Sequence, residues 1–150
     1  MRKVKIARYC VFVALCVAIN FLGQLFATSL RLPMWLDSIG TVLSACAGGA
    51  VCGCIVGVTG NLIWAMENSL SWVYSLTSVA VGIIIGNRAR KGRLETMLDA
   101  MNACIVVTAA ATAVSAPLNF AINNGLTGNV WGDAAAGFMM EIGFPGWLSL

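Results

Sequence analysis

Polar and aromatic side chains that could bind a ligand recur at one end of each apolar stretch of this 150-residue chain. Amide groups can read the edges of a ring, carboxylates can bind an amine, and tryptophan can stack on a ring. Because polar groups are costly in apolar surroundings, they commonly mark substrate paths or contacts between helices. The pattern predicts a pocket for a small polar or heteroaromatic ligand. The candidate residues are Asn20, Gln24, Asp37, Thr41, Asn61, Trp64, Glu67, Asn119, Asn123, Asn129, Trp131 and Asp133.

Each candidate also has a structural interpretation. Tryptophans anchor helices at membrane interfaces. Asn20 and Gln24 can form hydrogen bonds between helices. Asp37 precedes an apolar segment, so its charge can complement the helix dipole and its carboxylate can cap free N–H groups. The residue types alone leave these roles open, and a capping Asp37 could also line a pocket.

The sequence lacks the motifs of several enzyme classes. It contains no histidine, no phosphate-binding G-x-x-x-x-G-K-[ST] and no G-x-S-x-G nucleophile elbow. The six cysteines fall in apolar runs, and Cys52-Gly53-Cys54 lacks the spacing of zinc ligands. We therefore expect no metal, no cofactor and no enzymatic activity, and ATP-driven work would need partner subunits.

The composition predicts an all-α integral membrane protein. Hydrophobic residues make up 59% of the chain and charged residues 10%, with a mean hydropathy of +0.87. A soluble domain has about 45–50% apolar and about 25% charged residues. We expect one domain over 1–150, with a short helix over about 132–142 and a last helix that is largely missing. The predicted spans are about 6–30, 35–47, 50–66, 70–86 and 97–122, followed by the start of a last span from about 145.

The positive charges predict the topology in the cell membrane. Eight of the nine basic residues form two clusters, which the positive-inside rule places in the cytoplasm with four spans between them. Such clusters bind anionic lipid headgroups, and we expect no nucleic acid partner. The first apolar run is too long for a signal peptide, which favours a retained helix with a cytoplasmic N-terminus. The clusters are Arg2, Lys3, Lys5 and Arg8, and Arg88, Arg90, Lys91 and Arg93.

Two stripes follow the first predicted helix. Ala7, Ala14 and Ala18 lie within about 40° of one another, and Asn20 and Gln24 lie roughly 120° away. The alanine stripe could admit a partner helix or pack inside the bundle. The amide stripe could face a polar cavity or bond across helices.

Small residues also recur every four positions, which predicts close packing of helices. This ridge consists of Ala45, Gly49, Gly53, Gly57 and Asn61.

Two stretches carry a resemblance to a known family. They are LPMWLDSIGTVLSACAGGAVCGCIVGVTGNLIW (32–64) and NNGLTGNVWGDAAAGFMMEIGFPGWLSL (123–150). They resemble the S components of energy-coupling factor (ECF) transporters, the substrate-binding membrane subunits of these ABC transporters. The resemblance implies a bundle of six transmembrane helices with both termini inside and a vitamin or related micronutrient bound near the outer face.

The resemblance also implies partners. A membrane coupling subunit and two ATPase subunits would drive uptake, and the S component would topple in the membrane to deliver its ligand. The family's alanine-x-x-x-alanine docking motif matches Ala14 and Ala18. An alternative reading is a membrane-embedded sensor or input domain of a signalling protein.

Overall fold

The computed structural model describes residues 2–32, 36–67, 71–123 and 130–143, and within these ranges the chain is helical without a strand. The all-α prediction is confirmed for this part of the chain. The elements are α1 (Arg2–Ser29), α2 (Ile39–Gly48), α3 (Ala50–Trp64), a 3₁₀-helix (Ser71–Tyr74), α4 (Ser75–Arg90), α5 (Met97–Asn123) and α6 (Val130–Glu141).

Most helix bounds agree with the predicted spans, and α4 is the clearest exception. The predicted span over 70–86 begins as the 3₁₀-helix, and its α-helical part continues to Arg90. The helix continues through the basic residues because they contain no glycine or proline. It ends just before Gly92, which has a positive φ of 66°. The predicted last span from about 145 lies outside the described residues.

A single glycine joins α2 to α3. Gly49 has φ 82° and ψ 178°, a backbone conformation that residues other than glycine rarely adopt. This link lies between the spans predicted over about 35–47 and 50–66. Because the link is one residue long, α2 and α3 must pack against each other, and Gly53 lies against Ala45.

Glycines set the close contact between α3 and α4. A Cβ built at Gly53 would lie 3.1 Å from the Cα of Gly82, and one at Gly57 would lie 2.7 Å from the Cβ of Ser78. One built at Gly86 would lie 2.2 Å from the backbone nitrogen of Ala50. Gly53 and Gly57 of the predicted small-residue ridge therefore do pack helices together, whereas a Cβ at Gly49 would meet nothing within 4 Å.

The helices form a bundle with α2 and α3 between α1 and α4. α1 packs against α2 and α3, whereas α4 packs against α2, α3 and α5. In the described part of the chain, α5 has its one extensive contact with α4, and α6 has no extensive contact. The buried apolar cluster joins α2, α4 and α5 and consists of Ala45, Val81, Ile85 and Ala103.

The bundle has two chemically different ends. The ring of Tyr9 lies beside Gly48, and Gly86 lies on Ala50, so both basic clusters extend from the end where α2 meets α3. We call this the basic end. The opposite end, which we call the polar end, holds the C-termini of α1 and α3 and the N-termini of α2 and α4.

Two helices are long and apolar enough to cross a membrane. They are Ala7–Ser29 in α1 and Met97–Ile122 in α5. Only 6% of the apolar stretch of α5 is buried, which is unlike the core helix of a soluble protein. Large exposed apolar side chains on these helices include Val11, Leu15, Leu22, Phe26, Leu98, Met101, Ile105 and Phe120.

Substituting Gly86 tests the glycine contact. We expect Gly86→Ala to lower the stability of the bundle by about 1–3 kcal/mol, because the new methyl group would overlap the Ala50 backbone. Thermal unfolding of the purified protein in detergent measures this loss. Gly137→Ala is the control, since a Cβ there meets nothing within 4 Å. Equal melting temperatures for the Gly86 variant and the wild type would contradict the proposed packing.

Candidate functional site

Asn20 of α1 caps the beginning of α2. Its Oδ1 accepts hydrogen bonds from the backbone N–H groups of Gly40 (2.6 Å) and Thr41 (3.3 Å). Its Nδ2 donates to Thr41 Oγ1 at 2.9 Å. The first N–H groups of a helix have no partner within the helix, and Ser38 at the N-cap position makes no side-chain cap bond. Asn20 therefore supplies from a neighbouring helix the acceptor that a local cap usually provides.

The same contact explains the glycine of the Asp-Ser-Ile-Gly-Thr stretch. A Cβ on Gly40 would lie 2.0 Å from the backbone oxygen of Cys16 and 2.8 Å from Asn20 Oδ1. Only glycine lets α2 approach α1 closely enough for the Asn20 bonds. Of the capping and pocket roles left open for Asp37, capping of these two N–H groups is performed by Asn20 instead.

Further hydrogen bonds extend this contact across the bundle. Ser44 Oγ donates to the carbonyl oxygen of Thr41 at 3.0 Å. Asn61 Nδ2 donates to Ser78 Oγ at 2.7 Å and to the carbonyl oxygen of Gly57 at 2.9 Å. We call Asn20, Thr41, Ser44, Asn61 and Ser78 the polar belt.

The polar belt lies at the contacts of α1 with α2 and of α3 with α4. Thr41 and Ser44 are fully buried, and Asn20 is only 3% exposed. Gly57 lies between the two halves of the belt, because a Cβ there would be 3.1 Å from Thr41 Oγ1 and 2.7 Å from the Ser78 Cβ. Asn20, Thr41 and Asn61 thus have partners within the protein, and their predicted contact with a ligand stays a prediction.

Gln24 lies one turn beyond the belt toward the polar end. It is 6% exposed, yet its Oε1 has no hydrogen-bond partner among the described residues. Leaving such a group unpaired costs about 1–3 kcal/mol. Ser75 Oγ and Thr77 Oγ1 in the first turn of α4 share this property. Unlike the residues of the polar belt, these three groups can still form a hydrogen bond with a ligand.

Asp37 lies beside the same part of α1. A Cβ on Gly23 would be 2.4 Å from the carbonyl oxygen of Leu36, so the segment before α2 crosses α1 in close contact. Asp37 follows that contact in sequence, and Gln24 follows Gly23. Burial raises the pKa of the Asp37 carboxyl above its ordinary value of 3.8, and a hydrogen bond from its own backbone N–H opposes this.

Two aromatic rings border the polar end. The rings of Phe21 and Trp64 lie 5.6 Å apart with an interplanar angle of 63°, an edge-to-face pair. Phe21 is one turn before Gln24 on α1, and both rings are half-buried. Trp64 keeps its two interpretations, as an interfacial anchor and as a wall of a ligand site.

The remaining candidates lie away from this group or outside the described residues. Asn119 is 9% exposed and its Oδ1 accepts a hydrogen bond from the Tyr74 hydroxyl. Glu67 is exposed after α3, and Asp133 is half-buried in α6. Asn129 and the side chains of Asn123 and Trp131 lie outside what the structure describes.

Sequence reasoning missed several residues at this end. Ser44, Ser78 and Tyr74 make hydrogen bonds there, and Phe21 contacts Trp64. Ser78, Gly82 and Gly86 recur every four residues, so a small-residue search of α4 would have found Ser78. The other three carry no spacing signal.

The two stripes of α1 lie on different faces. Asn20 and Gln24 are buried, whereas Ala7, Ala14 and Ala18 are exposed. Of the two readings for Asn20, bonding across helices is the one observed. The alanines do not pack inside the described bundle, so they remain available to a partner.

Over the residues that the structure describes, the fold and site define an all-α protein with two helices able to cross a membrane and a buried polar belt near one end. No known protein-family model, curated protein or solved structure matches this chain.

Two matched substitutions compare the contribution of the polar belt to stability with that of Gln24. We expect Asn20→Leu to destabilise the protein by about 1–3 kcal/mol, because it leaves Gly40 and Thr41 without their acceptor. Gln24→Leu should leave stability unchanged or raise it, because it removes an unpaired buried acceptor. Thermal unfolding in detergent compares the two variants. A larger loss for Gln24→Leu would contradict this division.

The raised pKa of Asp37 predicts the pH dependence of stability. In the interval between the unfolded and folded pKa values, the folded chain holds a proton that the unfolded chain has lost. The free energy of unfolding therefore falls as pH rises through this interval and is unaffected by Asp37 below it. Asp37→Asn should remove this part of the dependence, as measured by unfolding at a series of pH values. An identical pH profile in the variant would show that burial does not perturb Asp37.

Proposed function

We propose that this chain is the substrate-binding membrane subunit of an ECF-type ABC transporter and captures a vitamin or related micronutrient for ATP-driven uptake. The observation that carries the proposal is the asymmetry of the bundle. The polar belt is satisfied by partners within the bundle. Among the described residues, the buried side-chain oxygens without a partner belong to Gln24, Ser75 and Thr77, which all lie on the polar-end side of the belt. Such an arrangement suits a site that opens at one end and not a continuous pore.

The charge distribution supports an orientation. Both basic clusters extend from the basic end, which we assign to the cytoplasm by the positive-inside rule. The polar end then faces outside, where a nutrient would be captured.

The helix lengths support a bundle embedded in the bilayer. α2 has 10 residues and spans about 15 Å, half of a hydrocarbon core of about 30 Å. The capping bonds from Asn20 satisfy the start of α2 within the protein, as a short helix in a membrane requires. We assign the full chain to the six-helix architecture of the S components.

The exposed alanines support docking to a coupling subunit. Ala14 and Ala18 lie one turn apart on the face of α1 that the described bundle leaves open. At these two positions α1 carries no bulky side chain, which lets another helix approach closely. In this proposal the coupling subunit binds there. Two ATPase subunits supply the energy, because the chain itself contains no phosphate-binding G-x-x-x-x-G-K-[ST] motif.

Docking and capture can be separated by substitution. We expect Ala14→Leu and Ala18→Leu to reduce assembly with a co-expressed coupling subunit and ATPases, because each adds bulk to the contact face. Co-purification measures assembly, and mass spectrometry measures the small molecule retained by the chain. Ala109→Leu, an exposed alanine of α5, is the control for the added volume.

The outcomes distinguish the roles. Loss of assembly with retention of the small molecule supports both assignments. Equal loss of assembly and ligand would remove the alanines from the docking role. Absence of any retained molecule and of any assembly in the wild type would contradict the transporter proposal and favour a sensor domain.

A further inference from the structure

The unused polar groups beside α1 are hydrogen-bond acceptors. Gln24 Oε1 is buried without a partner in the described part of the chain. An ionised Asp37 carboxylate can only accept. Burial and its own backbone N–H are the influences on this carboxyl, and no described lysine or arginine is among them. A ligand group that satisfies both acceptors must donate hydrogen bonds, and a positive charge on it would also attract the Asp37 carboxylate.

Both acceptors and the aromatic pair belong to segments at the polar end of the bundle. The contact of Gly23 with the Leu36 carbonyl places Gln24 and Asp37 next to the crossing of the two segments. Phe21 precedes Gln24 by one turn, and its ring lies 5.6 Å from that of Trp64. Gln24 and Phe21 therefore share one turn in the C-terminal half of α1, and the segment that carries Asp37 crosses this half of the helix.

We propose that the polar end selects a ligand whose planar ring carries an amine or amidine group, and that it discriminates against carboxylates. This inference rests on the proposed capture function and specifies its substrate class. The ring packs beside Phe21 and Trp64, and the nitrogen donates to Gln24 Oε1 and to the Asp37 carboxylate. A charge-assisted bond to a carboxylate is roughly twice as strong as a neutral one, so Asp37 carries most of the discrimination.

The charge of Asp37 itself favours the same ligand. A carboxylate ligand would meet repulsion from Asp37 and would leave Gln24 Oε1 without a donor.

A matched set of probes on one ring tests the substrate class. The probes are 4-(aminomethyl)pyridine, pyridine-4-carboxamide and pyridine-4-carboxylate, titrated against the full chain in lipid nanodiscs and followed by tryptophan fluorescence and thermal shift. We expect the amine to bind at least about tenfold more tightly than the carboxylate, a difference of about 1.4 kcal/mol. The amide should lie between them.

Variants assign the preference to residues. Asp37→Asn should reduce the preference of the amine over the carboxylate to within about threefold, and Gln24→Leu should weaken the amine and the amide together. Glu95→Gln, an exposed acid at the basic end, is the control and should leave all three affinities unchanged.

A pH titration of the wild type gives a second measure that needs no variant at Asp37. The affinity for the amine should fall as pH is lowered through the range in which Asp37 takes up its proton, whereas the affinity for the amide should stay nearly constant. Glu67 after α3 and Arg31 after α1 are the other charged groups on the described parts of the segments packed at this end.

Several results would overturn the inference. Tighter binding of the carboxylate, an unchanged preference in Asp37→Asn, or an amine affinity weaker than about 10 mM would each do so. If the chain still retained a small molecule and assembled with a coupling subunit, the capture function would stand and only the substrate class would fall.

Discussion

The hydrogen bonds from Gly40 and Thr41 to Asn20 hold the first turn of α2 against α1. A ten-residue helix is too short to be stable alone, and its first N–H groups need an acceptor. Asn20 provides that acceptor from within the bundle, and Gly40 allows the approach. The position of α2 places Thr41 against Gly57 of α3. Gly57 in turn lies against Ser78, so the same contact also positions α4.

The glycine contacts continue this arrangement to the basic end. Gly53 meets Gly82 and Gly86 meets Ala50, so the α3 and α4 backbones nearly touch along their length. Without a hydrophobic driving force between helices in lipid, such close packing and interhelical hydrogen bonds are the available sources of association. The bundle has both: the polar belt bonds α1 to α2 and α3 to α4, and the glycines bring the helices near enough to form those bonds.

The polar groups of the belt are bonded within the bundle, whereas those beyond it toward the polar end include groups that are free to bind a ligand. Residues such as Asn20 and Asn61 are saturated by helix partners, whereas Gln24, one turn farther along α1, is buried with its oxygen unpaired. In the proposed transporter subunit, ligand binding would supply that missing partner. The opposite face of the same helix presents Ala14 and Ala18, so a single helix would serve both capture and docking.

Periodicity and composition in the sequence were enough to determine the helices, the apolar surface, the basic clusters and the small-residue ridge, because these depend on local pattern. The separation of the two stripes on α1 followed from the helical repeat alone. Which amide is structural did not follow, since Asn20 and Gln24 are alike in type, helix and face. Only the tertiary structure decided it, because the partners of Asn20 come from residues 20 and 21 positions away in the chain. The same holds for Asp37: its place before α2 allowed a capping role, and only the packing shows that Asn20 binds the N–H groups of Gly40 and Thr41.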